Sequence, residues 1–314
     1  MFRTEVPISK SKHQIDFDAK ILSLGSCFAE NISEKLSFYK FQNTVNPFGI
    51  IFNPVSIERI AERIVTEELF TEKDIFFHND RWHCFEIHSK LSNSDKDLFL
   101  ESLNAILKTT FNQIQNLSHV IITFGTSWVY QHMESDKIVA NCHKVQQNQF
   151  SKELLSPETI SKSIENTIHL IQLLNKNIKF IFTISPVRHV KDGFVENNAS
   201  KSLLINSVFK ISQNNSTVDY FPSYEILLDE LRDYRFYAAD MLHPSQLAIQ
   251  YIWNKFRENY IDINLQSVLA EIENVQKSLL HKPFDKETPN HVAFLLNLKA
   301  KINKIEAEFP QIKF

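Results

Sequence analysis

Glycine is nearly missing from this chain. It has four among 314 residues, where average usage near 7% implies about five times as many. A glycine kept against that background stands where a Cβ cannot enter, most often a turn with positive φ or a close backbone approach. Gly25 follows the apolar run over 21–24, Gly49 closes Asn46-Pro47-Phe48-Gly49, and Gly125 ends the apolar run over 120–124, while Gly193 lies in a polar loop. Two of the four therefore cap β-rich runs, the place where open α/β sheets put their ligands.

Other things are scarce as well. There are three cysteines, Cys27, Cys84 and Cys142. Their odd number and lack of metal-type spacing exclude a disulfide framework and fit a reducing compartment, so a cytoplasmic location is expected. Charge of one sign is absent: Lys and Arg total 34 against 37 for Asp and Glu, a net charge of −3. With no basic run to form a stripe, nucleic acid is excluded as an expected partner. No apolar run approaches the ~18 residues that span a bilayer, and the first residues carry no apolar signal-type region, so neither a membrane span nor a secretory leader is expected. His78, His83 and His88 have no carboxylate companions arranged for coordination. No metal and no cofactor is expected. The sequence is silent on oligomeric state.

What is present is a large apolar fraction, 43%, enough to bury a sizeable core. Short apolar runs over 21–24, 120–124, 179–184 and 217–221 predict strands. Helical spacing predicts helices over 28–38, 55–66, 94–115, 156–174, 196–213, 224–232 and 246–260. Ser156-Pro157-Glu158 is a strong helix start, with a cap, a proline and an acid in order. A β-hairpin is expected over 74–89, irregular structure over 130–155, and two further amphipathic helices after 262. Strands alternating with helices from 21 to 260 predict a mostly parallel sheet covered on both faces. The expected division is an α/β domain over 1–260, with the hairpin inserted, and a helical extension over 261–314 packed on it.

Two segments carry chemistry. In Asp240-Met241-Leu242-His243-Pro244 a carboxylate three residues before a histidine can take the Nδ1 proton and aim Nε2 outward, the base-and-orienter half of a triad; the same segment can equally serve as the start of the helix behind it. In Gly25-Ser26-Cys27 a small nucleophile stands at a strand-to-helix turn, where free N–H groups and the helix dipole favour a thiolate or an oxyanion. Read structurally, Ser26 is a helix cap and Cys27 a small buried side chain. The coincidence of this turn with the Asp-x-x-His segment and with glycines in two further loops points to a site. Cys27 is then expected to have a lowered pKa, with Ser26 the alternative nucleophile.

The run Leu24-Gly25-Ser26-Cys27-Phe28-Ala29 resembles the signature of GSCFA-domain proteins, a group related to the SGNH/GDSL hydrolases. The likeness extends over roughly 20–250, through Asn46-Pro47-Phe48-Gly49, Phe124-Gly125-Thr126-Ser127-Trp128-Val129-Tyr130, Ala140-Asn141-Cys142-His143-Lys144, Ser185-Pro186-Val187-Arg188-His189 and Asp240-x-x-His243-Pro244. The resemblance implies a three-layer α/β/α sandwich of SGNH type. It further implies a nucleophile at Cys27 or Ser26, a base at His243 oriented by Asp240, and oxyanion donors from the nucleophile's N–H and Gly49. In the related hydrolases an Asn side chain supplies the third donor; here Ser127 stands in its place, after Gly125. Asn46 or Asn141 is the alternative donor, and Arg188, His189 and His143 are expected to line the substrate site. The implied activity is hydrolysis or transfer of an acyl group on a small-molecule or glycan ester. The alternative is a non-catalytic carbohydrate- or acyl-binding module that retains the pocket.

Overall fold

The computed structural model describes residues 4–281, 285 and 288–314; residues 282–284 and 286–287, which the expected extension also takes in, lie outside the described residues. Strands β1 (Lys20–Gly25) and β2 (Gln42–Val45) are joined by helix α1 (Cys27–Phe38), and α2 (Pro54–Val65) follows. The hairpin β3 (Phe76–His78) and β4 (Arg81–His83) precedes α3 (Lys96–Ile114) and β5 (His119–Phe124). Next come β6 (Trp128–His132), β7 (Lys137–Val139), β8 (Phe150–Leu154), α4 (Pro157–Leu174), β9 (Lys179–Ile184), α5 (Phe194–Asn214) and β10 (Val218–Phe221). A single turn α6 (Ser223–Glu225) leads to α7 (Gln246–Tyr260), α8 (Gln266–Leu279) and α9 (Pro289–Glu308).

The central sheet has five strands in the order β10-β9-β5-β1-β2, and every pairing is parallel. Its three inner strands are buried along nearly their whole length, as parallel strands between two helical layers must be. Alternate side chains feed two cores. Leu22, Leu24, Val120, Ile122, Phe180 and Phe182 face α2, α3, α4 and α5. Ile21, Ile121, Ile181 and Phe221 face α1, α7, α8 and α9. The result is a three-layer α/β/α sandwich with an inserted hairpin and C-terminal helices. Those helices bury Leu269, Ile272, Leu298 and Ile305 in the second core together with Ile15 and Phe17 from the N-terminal segment. No described helix is long and apolar enough to cross a membrane.

Two expectations are corrected, and one strand was missed. Residues 130–155 are not irregular: they carry the antiparallel sheet β7-β6-β8. β2 was not foreseen, because a four-residue, half-buried edge strand has no apolar run to reveal it. The helix expected over 224–232 is one α turn followed by a π-helix, Ile226–Leu231, closed by Arg232 at φ 37°. Expected boundaries elsewhere hold within a few residues, and the caps explain them: Ser26, Asn53, Asp95, Ser156 and Ser245 each accept an N–H of the first helical turn.

Candidate active site

The first strand lies beside the third of the sheet, β5, while the second lies on its other side, so the topology reverses between β1 and β5. Open α/β sheets bind ligands at the carboxyl ends of the strands flanking such a reversal. Gly25 and Gly125 stand at those ends.

Gly25 is at φ 123°, and a Cβ there would lie 2.1 Å from the Thr123 carbonyl oxygen. Only glycine fits. Its N–H donates to Asn46 Oδ1 at 2.9 Å, its carbonyl accepts Ile51 N–H at 3.1 Å, and Ser26 N–H donates to the Thr123 carbonyl at 2.9 Å. Ser26 is fully buried, and its Oγ caps α1 by accepting Phe28 N–H at 3.3 Å. Cys27, the first residue of α1, is partly buried. Its N–H bonds no other described residue, as expected of a first-turn N–H. Of the two nucleophile candidates, Ser26 is therefore engaged in the turn and Cys27 is presented.

The expected lowering of the Cys27 pKa is reversed. Burial pushes the thiol up and Glu30, one turn along α1, adds to it; Lys201 and the N–H groups of Cys27 and Phe28 pull it down without overcoming the rise. Burial likewise raises Cys84 to about 12 and Cys142 to about 11. The helix N-terminus was weighed in the expectation; desolvation of the thiolate was not.

The expected oxyanion donors are largely committed elsewhere. Gly49 N–H donates to the Asn46 carbonyl at 2.7 Å, and its lack of a Cβ answers to His88, whose own Cβ would be 2.3 Å away. Gly125 N–H donates to the Phe52 carbonyl at 2.8 Å. Ser127, fully buried, is turned into α5: its N–H donates to Ser200 Oγ at 2.7 Å and its Oγ to the Ser200 carbonyl at 3.1 Å. It does not stand as a free donor. Asn46 differs. With Oδ1 held by Gly25 N–H, its buried Nδ2 has no partner among the described residues.

Asn141 and His143 are placed against the hairpin. Asn141 Oδ1 accepts His143 N–H at 2.8 Å, and His143 Nε2–H donates to the Cys84 carbonyl at 2.7 Å. The His143 ring meets His83 at a centroid distance of 4.8 Å, and burial pushes its pKa down to about 4.

The Asp240–His243 pair is assembled. His243 Nδ1–H donates to Asp240 Oδ2 at 2.6 Å, while Asp240 Oδ1 accepts the N–H groups of Leu242 and His243 at 2.9 and 3.0 Å. Those donors, with the His243 side chain, pull Asp240 down to about 2. Met241, at φ 60°, makes the tight turn between them. Nε2 of His243 has no hydrogen bond among the described residues, and both side chains are about half exposed. Arg188 N–H reaches the Leu242 carbonyl at 3.5 Å, tying this loop to the end of β9. His189 stacks edge-on against Phe52, and its buried Nε2 is unpaired among the described residues; burial first, then Lys201, lowers its pKa to about 4. A cleft of about 810 Å³ opens beside the pair, lined by Arg188, Phe194, Tyr234, Tyr237, Asp240 and Met241. The Arg188 guanidinium has no ion pair among the described residues.

One residue at this centre was missed. Lys201 of α5 is 1% exposed, and its Nζ donates to the carbonyls of Gly125 at 2.6 Å and Ser185 at 2.7 Å. A signal existed. Asn197, Ser200, Lys201, Leu204 and Val208 form the buried face of α5 at three- and four-residue spacing, which puts a lysine on an inward stripe.

A parallel sheet between two helical layers, with a Gly-Ser-Cys turn at its topological reversal and an Asp–His pair in a loop tied to the end of β9, defines a doubly wound α/β class of fold. Within it the assignment is specific. The GSCFA family model matches residues 20–256, and a model described as GSCFA domain protein, C-terminal domain, matches 272–314. The chain belongs to the GSCFA family. A comparison with curated proteins gave no match. Among solved structures, the chain is similar to a carbohydrate esterase family 3 protein from Talaromyces cellulolyticus at 9% identity and a TM-score of 0.37, covering 81% of this chain and 99% of that one. A Clostridium thermocellum family 3 carbohydrate esterase aligns at 10% identity and a TM-score of 0.35, with 81% and 98% covered.

Proposed function

We propose that this protein hydrolyses or transfers an acyl group, using Cys27 as nucleophile, His243 as general base and Asp240 as its orienter. The observation that carries this reading is the preassembled Asp240–His243 pair, with Nδ1 satisfied by the carboxylate and Nε2 unpaired among the described residues. In the reaction, Sγ of Cys27 attacks the acyl carbonyl while its proton passes to His243 Nε2. The same proton then goes to the leaving alkoxide, which departs as an alcohol. The thioester that remains is attacked by water or by an acceptor hydroxyl or amine, with His243 taking and returning the attacking group's proton. Cys27 N–H and Asn46 Nδ2 are the donors proposed for the oxyanion. The cleft beside the pair, with Tyr234, Tyr237 and Arg188 on its walls, suits a small acylated carbohydrate, whose rings stack on aromatic faces and whose hydroxyls meet charged groups.

The test is intact-protein mass spectrometry after incubation with a panel of activated acyl donors. An adduct at Cys27, absent in Cys27→Ala and formed more slowly in His243→Ala because the thiol has lost the base that takes its proton, supports the reading. No adduct with any donor removes it. A second reading, a carbohydrate- or acyl-binding module without turnover, is favoured by one observation: Gly49 N–H and Ser127 Oγ are both engaged within the protein. Saturable binding of an acylated sugar with no adduct at Cys27 would support it.

A further inference from the structure

We infer that Lys201 is a positioning residue for Cys27: held beneath the site by the carbonyls of Gly125 and Ser185, its ammonium supplies the positive charge that a thiolate at Cys27 requires. Both carbonyls lie just past the carboxyl ends of β5 and β9, where the chain turns into the site. β5 is the strand whose Thr123 carbonyl receives Ser26 N–H, so the lysine head and the Ser26-Cys27 turn are anchored to the same strand end. The lysine has no carboxylate partner among the described residues. A fully buried ammonium without a counter-ion is expensive, because its desolvation is not offset by an opposite charge. Clamping two strand ends needs hydrogen-bond donors, and a neutral side chain could supply those without that cost.

The surrounding groups say what the charge is for. Facing Lys201 are Cys27 from α1, His189 from the loop after β9, and the Tyr224 ring at 5.7 Å from the segment after β10. Behind these, Glu30 faces Cys27, while Asp192 and His243 face His189. Among the described groups facing it, Cys27 is the one whose anion would meet the ammonium directly. The influence is mutual: Lys201 favours the thiolate, and the thiolate favours the charged lysine. Burial pulls Lys201 down to about 7, so its charge is gained and lost within the working range. Below that value the ammonium is fully formed; above it the support for the thiolate fades as the lysine deprotonates.

The inference rests on Cys27 being the nucleophile. Its test reads thiol ionisation rather than turnover, so it can fail while the acyl-transfer reading stands, and the reverse. Alkylation of Cys27 by iodoacetamide is followed by peptide mapping from pH 6 to 10 in three folded proteins. In Lys201→Met, Cys27 alkylation at pH 6.5, where the lysine carries its charge, is expected to fall at least tenfold and its profile to move to higher pH. In Lys201→Arg, whose charge does not titrate in this range, alkylation at pH 8 should equal or exceed that of the wild type. A merely structural clamp would alter melting temperature without moving the profile. A wild-type profile in Lys201→Met, or Lys201→Arg as slow as Lys201→Met, overturns the inference. Where Lys201→Met does not fold, Lys201→Arg decides: slowed alkylation overturns the inference, and retained or faster alkylation supports it.

Discussion

The two halves of the candidate site are built in opposite ways. Around Gly25-Ser26-Cys27 nearly every polar group is spent: on Thr123, Asn46, Ile51 and the first turn of α1, with Lys201 buried behind them. Around Asp240-Met241-Leu242-His243 the carboxylate is satisfied locally, and the histidine edge is left to solvent in a half-exposed loop. One half is held by the packing of a sheet, the other by hydrogen bonds among four consecutive residues. A substitution in the frame of the first half, at Gly25 or Ser26, should therefore register as stability, and one in the second half as activity.

The sharpest way to break that contrast is Asp240→Asn. The wrong imidazole tautomer should reduce acyl turnover about 10³–10⁴-fold, while the urea midpoint stays where it was because the side chain is exposed. A shifted midpoint would place Asp240 with the structural half. Gly25→Ala is the converse. A Cβ at 2.1 Å from the Thr123 carbonyl, on a backbone at φ 123°, should cost about 3 kcal/mol or more in urea unfolding. A stable, fully folded Gly25→Ala protein would show that the turn is softer than its packing implies.

Acid should also separate the halves. His143 and His189 stand at about 4 in the folded protein against 6.5 when free. A lowered folded pKa means that their contribution is intact above 6.5 and is lost as pH falls from 6.5 toward 4. By pH 4 the loss should be on the order of 3 kcal/mol per histidine. Urea midpoints at pH 7 and pH 4.5 measure it, and replacing His143 by Phe should flatten the dependence. A midpoint independent of pH over this interval would mean that neither ring is kept neutral by the fold. The smallest effect is expected from Ser127→Ala. Losing the hydroxyl's bond to Ser200 should cost about 1 kcal/mol and leave turnover per folded molecule unchanged. A large fall in turnover at unchanged stability would restore Ser127 to the oxyanion site.

The same contrast explains what could be read in advance. β1, β5 and β9 announce themselves because a strand buried on both faces must be apolar throughout, and the glycines after two of them mark the ends that matter. Asp240 and His243 are legible because their geometry is local, three residues apart in one turn. The antiparallel sheet β7-β6-β8 was not, since Trp128-Val129-Tyr130-Gln131-His132 mixes polar and aromatic side chains on a half-exposed strand. The hydrogen bonds of Ser127 and Gly49 could not be foreseen, because partners from α5 and from the turn at 46–49 are invisible in a linear motif. Lys201 lay in plain view on an inward stripe, but a charged side chain there looks like an error in the helix assignment until its two carbonyl partners are known.

The position of β1 has a consequence for how the protein is made. It precedes every other strand of the sheet in the chain, yet it lies inside the sheet between β5 and β2, and Lys20 meets Ser118, 98 positions further along. Parallel pairing over that separation must overcome a large loop-closure entropy before any contact rewards it, which places such topologies among slow folders. The bond between Ser26 N–H and Thr123 cannot close until β5 has left the ribosome. The nascent chain thus carries its cysteine uncommitted over the residues between α1 and β5, and the turn that presents the thiol takes shape only once β1 and β5 meet.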